Sequence, residues 1–319
     1  MGTYIIRRVL SLLLMLLVIS FLIYGGIELM PGDAVDFLIP PDALATMDPA
    51  ALDALRESLG LNTPFLVRYW NWLLGLLQGD FGYSIQSGVP VSELMMNYLP
   101  ATLELSVAAL VISTLLGSLF GVVSALKKGS IADNVLSVAG MIGVAIPQFL
   151  FGLLCIVTFS FKLGWLPVGG RADYLGQPFF QRLPYLVMPA LVLGFSLMAG
   201  VMRYSRSSML DSLNRDYIKT ARSKGLPEWR INLIHGLRVA MSPVVILVGF
   251  RLPMLIGGAV VIEQVFQWPG VGNLFISAVR SQNTPIVMMV GFFSVLMVLL
   301  ASLIVDVVNA LLDPRIKLG

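Results

Sequence analysis

Apolar residues run in six long blocks, at positions 9–30, 101–126, 135–161, 184–202, 243–265 and 285–312. The hydrocarbon core of a bilayer, about 30 Å thick, offers backbone no hydrogen-bond partner, so a stretch of roughly 20 such residues reads as a spanning helix. The pattern predicts an all-α membrane protein with six transmembrane helices. The first block follows MGTYIIRR, exceeds the length of a signal-peptide core and lacks a small-residue cleavage pattern before Pro31. It is read as a retained span.

Positions 31–100 are too polar to cross a bilayer but patterned enough to fold. Asp48-Pro49 opens a short helix that Gly60 ends, and Thr63-Pro64 opens a second that Gly79 ends. Each has a capping side chain, proline at the first helical position and a closing glycine. Tyr69, Trp70 and Trp72 in the second suit the lipid headgroup level. With eight acidic residues against two arginines, the segment fits either a docking surface for an external partner or an interfacial cap over the bundle. The expected organisation is a first span plus extracytoplasmic helical segment over 1–100, then a five-helix core over 101–319 with a cytoplasmic loop at 203–242.

Composition supports the bilayer assignment, with 57% hydrophobic and 12% charged residues. The net charge of +3 does not imply nucleic acid, because Lys and Arg collect on cytoplasmic loops. With the N-terminus inside, fourteen of the 21 basic residues fall on inner segments: Arg7, Arg8, Lys127, Lys128, eight between 203 and 238, Arg315 and Lys317. Arg56, Arg68, Lys162, Arg171, Arg182 and Arg280 fall outside, and Arg251 lies within a span. Both termini are therefore expected in the cytoplasm.

Charged and polar residues inside the spans need a partner or a wet cavity. Arg251 sits about 12 Å above the inner end of its span and Asp306 about 9 Å above the inner end of the last, by the helical rise. The two either pair across helices, or Arg251 lines the solute path and meets a carboxylate. Gln148, beside Pro147, either faces a cavity or bonds a neighbouring helix at a kink. Glu263, near the outer end of its span, either contacts solute or braces the helix end. Gly117 and Gly121 permit close helix packing. The single cysteine, Cys155, excludes an internal disulfide, and the single histidine, His235, excludes a histidine cluster. HExxH and GxSxG are absent, and no lysine follows a glycine, so no phosphate-binding loop is present.

In the loop at 203–242, Met209, Leu213, Tyr217, Thr220 and Ala221 recur at helical spacing and predict a short amphipathic helix stopped by Gly225 and Pro227. Charge alone permits a basic helix lying on the membrane. Six spans with a few buried charges also permit an ion-coupled secondary transporter or a channel.

DYIKTARSKG, at 216–225, resembles the EAA coupling motif of ABC importer permeases, in the form typical of the dipeptide, oligopeptide and nickel group. GDFGYS at 79–84, PVSELMMNYLPATLELS at 90–106, VIEQVFQWPGVGNL at 261–274 and DVVNALLDPRI at 306–316 are similar to further family segments, in the family's order. Two positions depart: Val239 follows Arg238 where the family has Asn, and Gln264 stands where Thr is commoner. The resemblance implies the type I importer permease fold and a dipeptide or oligopeptide solute, with nickel chelates, glutathione, opines and oligosaccharides as alternatives. It implies a bacterial plasma membrane location and a path shared with a homologous permease. Two cytoplasmic ATPases that use ATP and magnesium and an external solute-binding protein complete the set, with no cofactor in this chain. Arg215, Asp216, Lys219, Thr220, Ala221, Arg222 and Gly225 are the implied ATPase-coupling residues. Small Thr220 and Ala221 would seat the helix in a groove, so added bulk at Ala221 is expected to uncouple ATP hydrolysis without preventing insertion.

Overall fold

The computed structural model describes residues 2–29, 35, 38–39, 41–44, 46–171 and 179–312. Twelve helices carry the argument. In chain order they are α1 (Gly2–Glu28), α2 (Pro49–Ser58), α3 (Phe65–Leu77), α4 (Val91–Leu126), α5 (Ile131–Ala145) and α6 (Gln148–Cys155). Then follow α7 (Phe179–Leu213), α8 (Asp216–Ser223), α9 (Leu237–Gly258), α10 (Val260–Val265), α11 (Val271–Arg280) and α12 (Thr284–Leu312). Among the described residues five helices are long and apolar enough to cross a membrane, and α5 with α6 makes a sixth, bent candidate. Among the described residues there is no strand, only one isolated bridge between Tyr83 and Pro90.

The expected third span is broken. Pro147 supplies no N–H and forces Ile146 out of the helical region, to φ −79° and ψ 125°. The helix restarts at Gln148 after a bend of 104° and ends in a π-helical turn at Ile156–Lys162. Other prolines do not stop their helices: α4 runs through Pro100, and α7 through Pro184 and Pro189.

Contacts group the described residues into two compact units, one of residues up to 101 with 270–300, the other of 102–269 with 301–312. The N-terminal unit thus extends past the expected boundary at residue 100 to take in α11 and the outer part of α12. Its core explains why α4 begins ten residues before the predicted span, since Val91 and Met95 are buried with Val271, Leu274, Ala278 and Ile286. Asp48 caps α2 as expected, accepting from the Ala50 N–H at 3.1 Å, and Gly60 closes it at φ +70°. Thr63 does not cap α3: Pro64 takes the cap position with no side-chain bond to the first turn, and the Thr63 hydroxyl donates back to the Gly60 carbonyl at 2.7 Å. Of the three aromatics expected at headgroup level, only Trp70 is exposed. Tyr69 is buried against α1, with its hydroxyl 3.0 Å from Ser20 and its ring edge-on to Phe21, and Trp72 packs beside it.

In the second unit α7 is central, with 61% of its apolar stretch buried against 33% for α4. Gly117 and Gly121 let these two helices touch backbone to backbone. A Cβ on Gly121 would stand 2.5 Å from the Met202 carbonyl oxygen, and one on Gly117 would stand 2.9 Å from that of Met198. The opposite face of α4 carries an exposed stripe of Val107, Val111, Leu115 and Leu119 suited to lipid.

Candidate coupling and transport site

The loop expected at 203–242 is almost entirely helical. Span four continues as α7 to Leu213, so Met209 and Leu213 belong to its cytoplasmic extension rather than to the short amphipathic helix. The chain turns at Asn214 and Arg215, and α8 follows with Asp216 in its first turn, where the helix dipole favours a carboxylate. Gly225, at φ +74°, makes the turn out of α8. One helical turn at Glu228–Arg230 and a π-helical turn at Ile231–Gly236 then lead without a break into α9.

Helix α8 is held by one apolar face. Ile218 and Ala221 are buried with Ile231 and touch Leu226, joining α8 to the lead-in of α9. The Tyr217 hydroxyl lies 2.6 Å from that of Ser212, which itself donates to the Gly236 carbonyl at 2.9 Å. Ser208 donates to the Ala240 carbonyl at 2.8 Å, and Met209 is buried with Val122, Ala125 and Ala240. The short helix is therefore gripped by the inner ends of both neighbouring spans. Its outer face is exposed and carries Lys219, Thr220, Arg222 and Ser223. Lys219 pairs with Asp216 at 2.8 Å, and Arg222 reaches across the turn to Glu228 at 2.7 Å. Ala221 points inward, so bulk there would strike Ile231 of the same chain; Thr220, not Ala221, is the small residue on the free face.

Arg251 lies at one end of a cavity of about 600 Å³, lined by Arg203, Tyr204, Ser207 and Asp211 of α7 and by Leu247 of α9. Its guanidinium donates to the Leu197 carbonyl across the interface and fits only because position 200 is glycine, where a Cβ would collide with Nη2. The face of α9 toward the last span carries Gly249, whose Cβ position is 3.2 Å from Val305. Two residues along a helix is about 200° of rotation, so Arg251 faces the other way. The Asp306 side chain lies outside the described residues.

Gln148 donates to the Ser196 hydroxyl of α7 at 2.7 Å, bonding a neighbouring helix at the kink. Glu263 is fully buried and accepts from Thr102 at 2.6 Å, which ties α10 to α4 and leaves no surface for solute in this conformation. Among the described residues no three His, Cys, Asp or Glu side chains converge as a metal site would require.

Two ionic clusters have no signature in the sequence. Arg171 and Arg182 both reach Glu104, at 2.6 and 3.3 Å, and Arg171 also lies over the Trp268 ring. At the inner end, Asp133 accepts from Arg206 at 2.9 Å, from Ser124 and from the Gly129 N–H, fastening α5 and α4 to α7. Losing Arg206 would strand a carboxylate that is 6% exposed, whereas losing the carboxylate frees an arginine 31% exposed that can turn to water. Arg206→Met is therefore expected to lower the melting temperature of the purified protein by more than Asp133→Asn does. Equal shifts, or the reverse order, would contradict this geometry.

Helices long and apolar enough to cross a membrane, with a short amphipathic helix fastened to the ends of two of them, are the features of a membrane-embedded subunit. Residues 117–318 match the family described as binding-protein-dependent transport system inner membrane component, and residues 1–106 match its N-terminal counterpart. The chain is 42% identical over 320 residues to the oligopeptide transport system permease protein AppB of Bacillus subtilis, covering 99% of this chain and all of that one. It is 34% identical over 317 residues to the glutathione transport system permease protein GsiC of Salmonella choleraesuis, covering 99% of each. A crystal structure of an amino acid ABC transporter with histidines shares the fold, with a TM-score of 0.52 at 16% identity, over 68% of this chain and 94% of that one. The chain belongs to the binding-protein-dependent transport family and is a multi-pass ABC importer permease of the bacterial inner membrane. The resemblance to the dipeptide and oligopeptide group, drawn from the five sequence motifs, is borne out.

Proposed function

We propose that this chain forms half of the translocation path of an ATP-driven importer of short peptides, beside a homologous permease. Two cytoplasmic ATPases and an external solute-binding protein complete the assembly, and magnesium-ATP is bound and hydrolysed in the ATPases alone. The observation that carries this reading is α8, a helix with a free outer face whose buried face is locked to the inner ends of α7 and α9. A push on that face reaches both spans at once. Closure of the ATPases around ATP would thus displace α7 and α9 together and open the path outward, and hydrolysis would let the inward-open state return. The higher identity to an oligopeptide permease, 42% against 34% for the glutathione permease, supports oligopeptides rather than glutathione as the solute.

The test is purification of the tagged chain from membranes with its genetic neighbours co-expressed. Two ATPases should copurify, and sealed vesicles containing the complex and its binding protein should accumulate a labelled tripeptide only when ATP is supplied. Accumulation by this chain alone, driven by an ion gradient, would favour a secondary transporter instead.

A further inference from the structure

The cavity between α7 and α9 carries an arrangement of charge that packing does not require. At its membrane end sits Arg251, with Arg203 beside it on the lining, and Asp211 stands at the cytoplasmic end of the same α7 face. Among the described residues no carboxylate lies within ion-pair distance of either arginine. Two guanidiniums lining one cavity repel each other and favour an anion between them. Arg251 is held in place rather than left loose: the Leu197 carbonyl fixes one nitrogen, and the bare backbone of Gly200 makes room for another. An inorganic anion would be poorly served by this site, because Asp211 repels it from the mouth.

We propose that this cavity is a subsite for short zwitterionic peptides, holding the C-terminal carboxylate at Arg251 and Arg203 and the free ammonium at Asp211. The proposal rests on the peptide-importer reading above and adds the end groups and size of the cargo. From Gly200 to Asp211 the lining extends about 16 Å along α7 at the helical rise. The two arginine side chains shorten that reach, leaving room for three or four extended residues at about 3.4 Å each. A volume of about 600 Å³ suits a molecule of that size. Tyr204 and Leu247 present apolar surface between the charged ends, so the peptide's side chains are tolerated while its termini are selected.

Ser207, exposed on the lining, allows a direct test in the whole complex held in lipid nanodiscs. In a Cys155→Ser background, Ser207→Cys is labelled with a charged maleimide in the presence of trialanine, trialanine amide or N-acetyl-trialanine. Trialanine should slow labelling about tenfold, and each blocked form much less, because each lacks one charge-assisted contact. Adding the exposed change Asp211→Asn should remove the discrimination against the acetylated form while keeping that against the amide. Equal protection by all three peptides, no protection by any, or a thiol inert before peptide is added because a partner subunit covers it, would each overturn the subsite. The same preparation in vesicles separates the two readings: ATP-driven uptake of trialanine without protection removes the subsite and leaves the importer standing. Neither uptake nor protection removes both.

Discussion

Gly121→Leu is expected to abolish recovery of a folded complex from membranes, and even Gly121→Ala should lower its melting temperature measurably. The added Cβ meets the Met202 carbonyl oxygen at 2.5 Å, the Ser205 Cβ at 2.7 Å and the Arg206 nitrogen at 3.0 Å. Two of these three atoms are backbone, so no rotamer change relieves the clash and α4 must move away from α7. Overpacking of this kind costs roughly 1–3 kcal/mol per site even where side chains can adjust. Here the displacement also pulls Arg206 from Asp133, a contact on the same turn of α7. The control is Gly26→Ala in α1, where a Cβ meets nothing within 4 Å and the change should be neutral or slightly stabilising through helix propensity. Size-exclusion recovery and thermal unfolding of both variants check the contrast. A Gly121→Leu complex that behaves like the parent would mean that α4 and α7 do not pack at this distance.

That glycine pair was legible in the sequence because small residues four apart in an apolar helix have few uses other than close approach. The spans were legible for a similar reason, since a bilayer imposes length and apolarity whatever the neighbours are. The last span was expected at 285–312 and the helix runs Thr284–Leu312. Departures arise where tertiary contacts act: α4 begins at Val91 because the core of the N-terminal unit grips its first turns, and α7 continues to Leu213 because Met209 has a buried place past the end of the predicted span. Proline at 147 announced an interruption but not a bend of 104°, which depends on what α5 and α6 pack against. In the candidate site, α8 could be read from its motif, whereas its inward face could not, since Thr220 and Ala221 are adjacent small residues and only burial separates them. Arg251 was visible as a costly charge, but its acceptor is a main-chain carbonyl, which no side-chain pattern reveals. Asp133 and Arg206 are 73 positions apart, too far for any spacing rule to join them.

The burial of Ala221 also decides where coupling is best interrupted. Thr220→Trp is expected to reduce ATP hydrolysis stimulated by the solute-loaded binding protein by about tenfold or more, the equivalent of about 1.4 kcal/mol at the docking surface. The melting temperature should stay unchanged. Thr220 is exposed, and its hydroxyl donates to the Asp216 carbonyl one turn earlier, so a tryptophan there projects away from the buried face of α8. It would occupy the space a partner needs in order to approach α8. Lys219→Ala, on the same face, should have a far smaller effect, because its pair with Asp216 is fully solvated and such pairs contribute about 0–1 kcal/mol. Ala221→Trp should reduce hydrolysis too, but with a drop in melting temperature, since the ring would displace Ile231. The three variants together distinguish a blocked interface from a damaged one. Full stimulation in Thr220→Trp would mean that the force from ATP enters the permease somewhere other than the exposed face of α8.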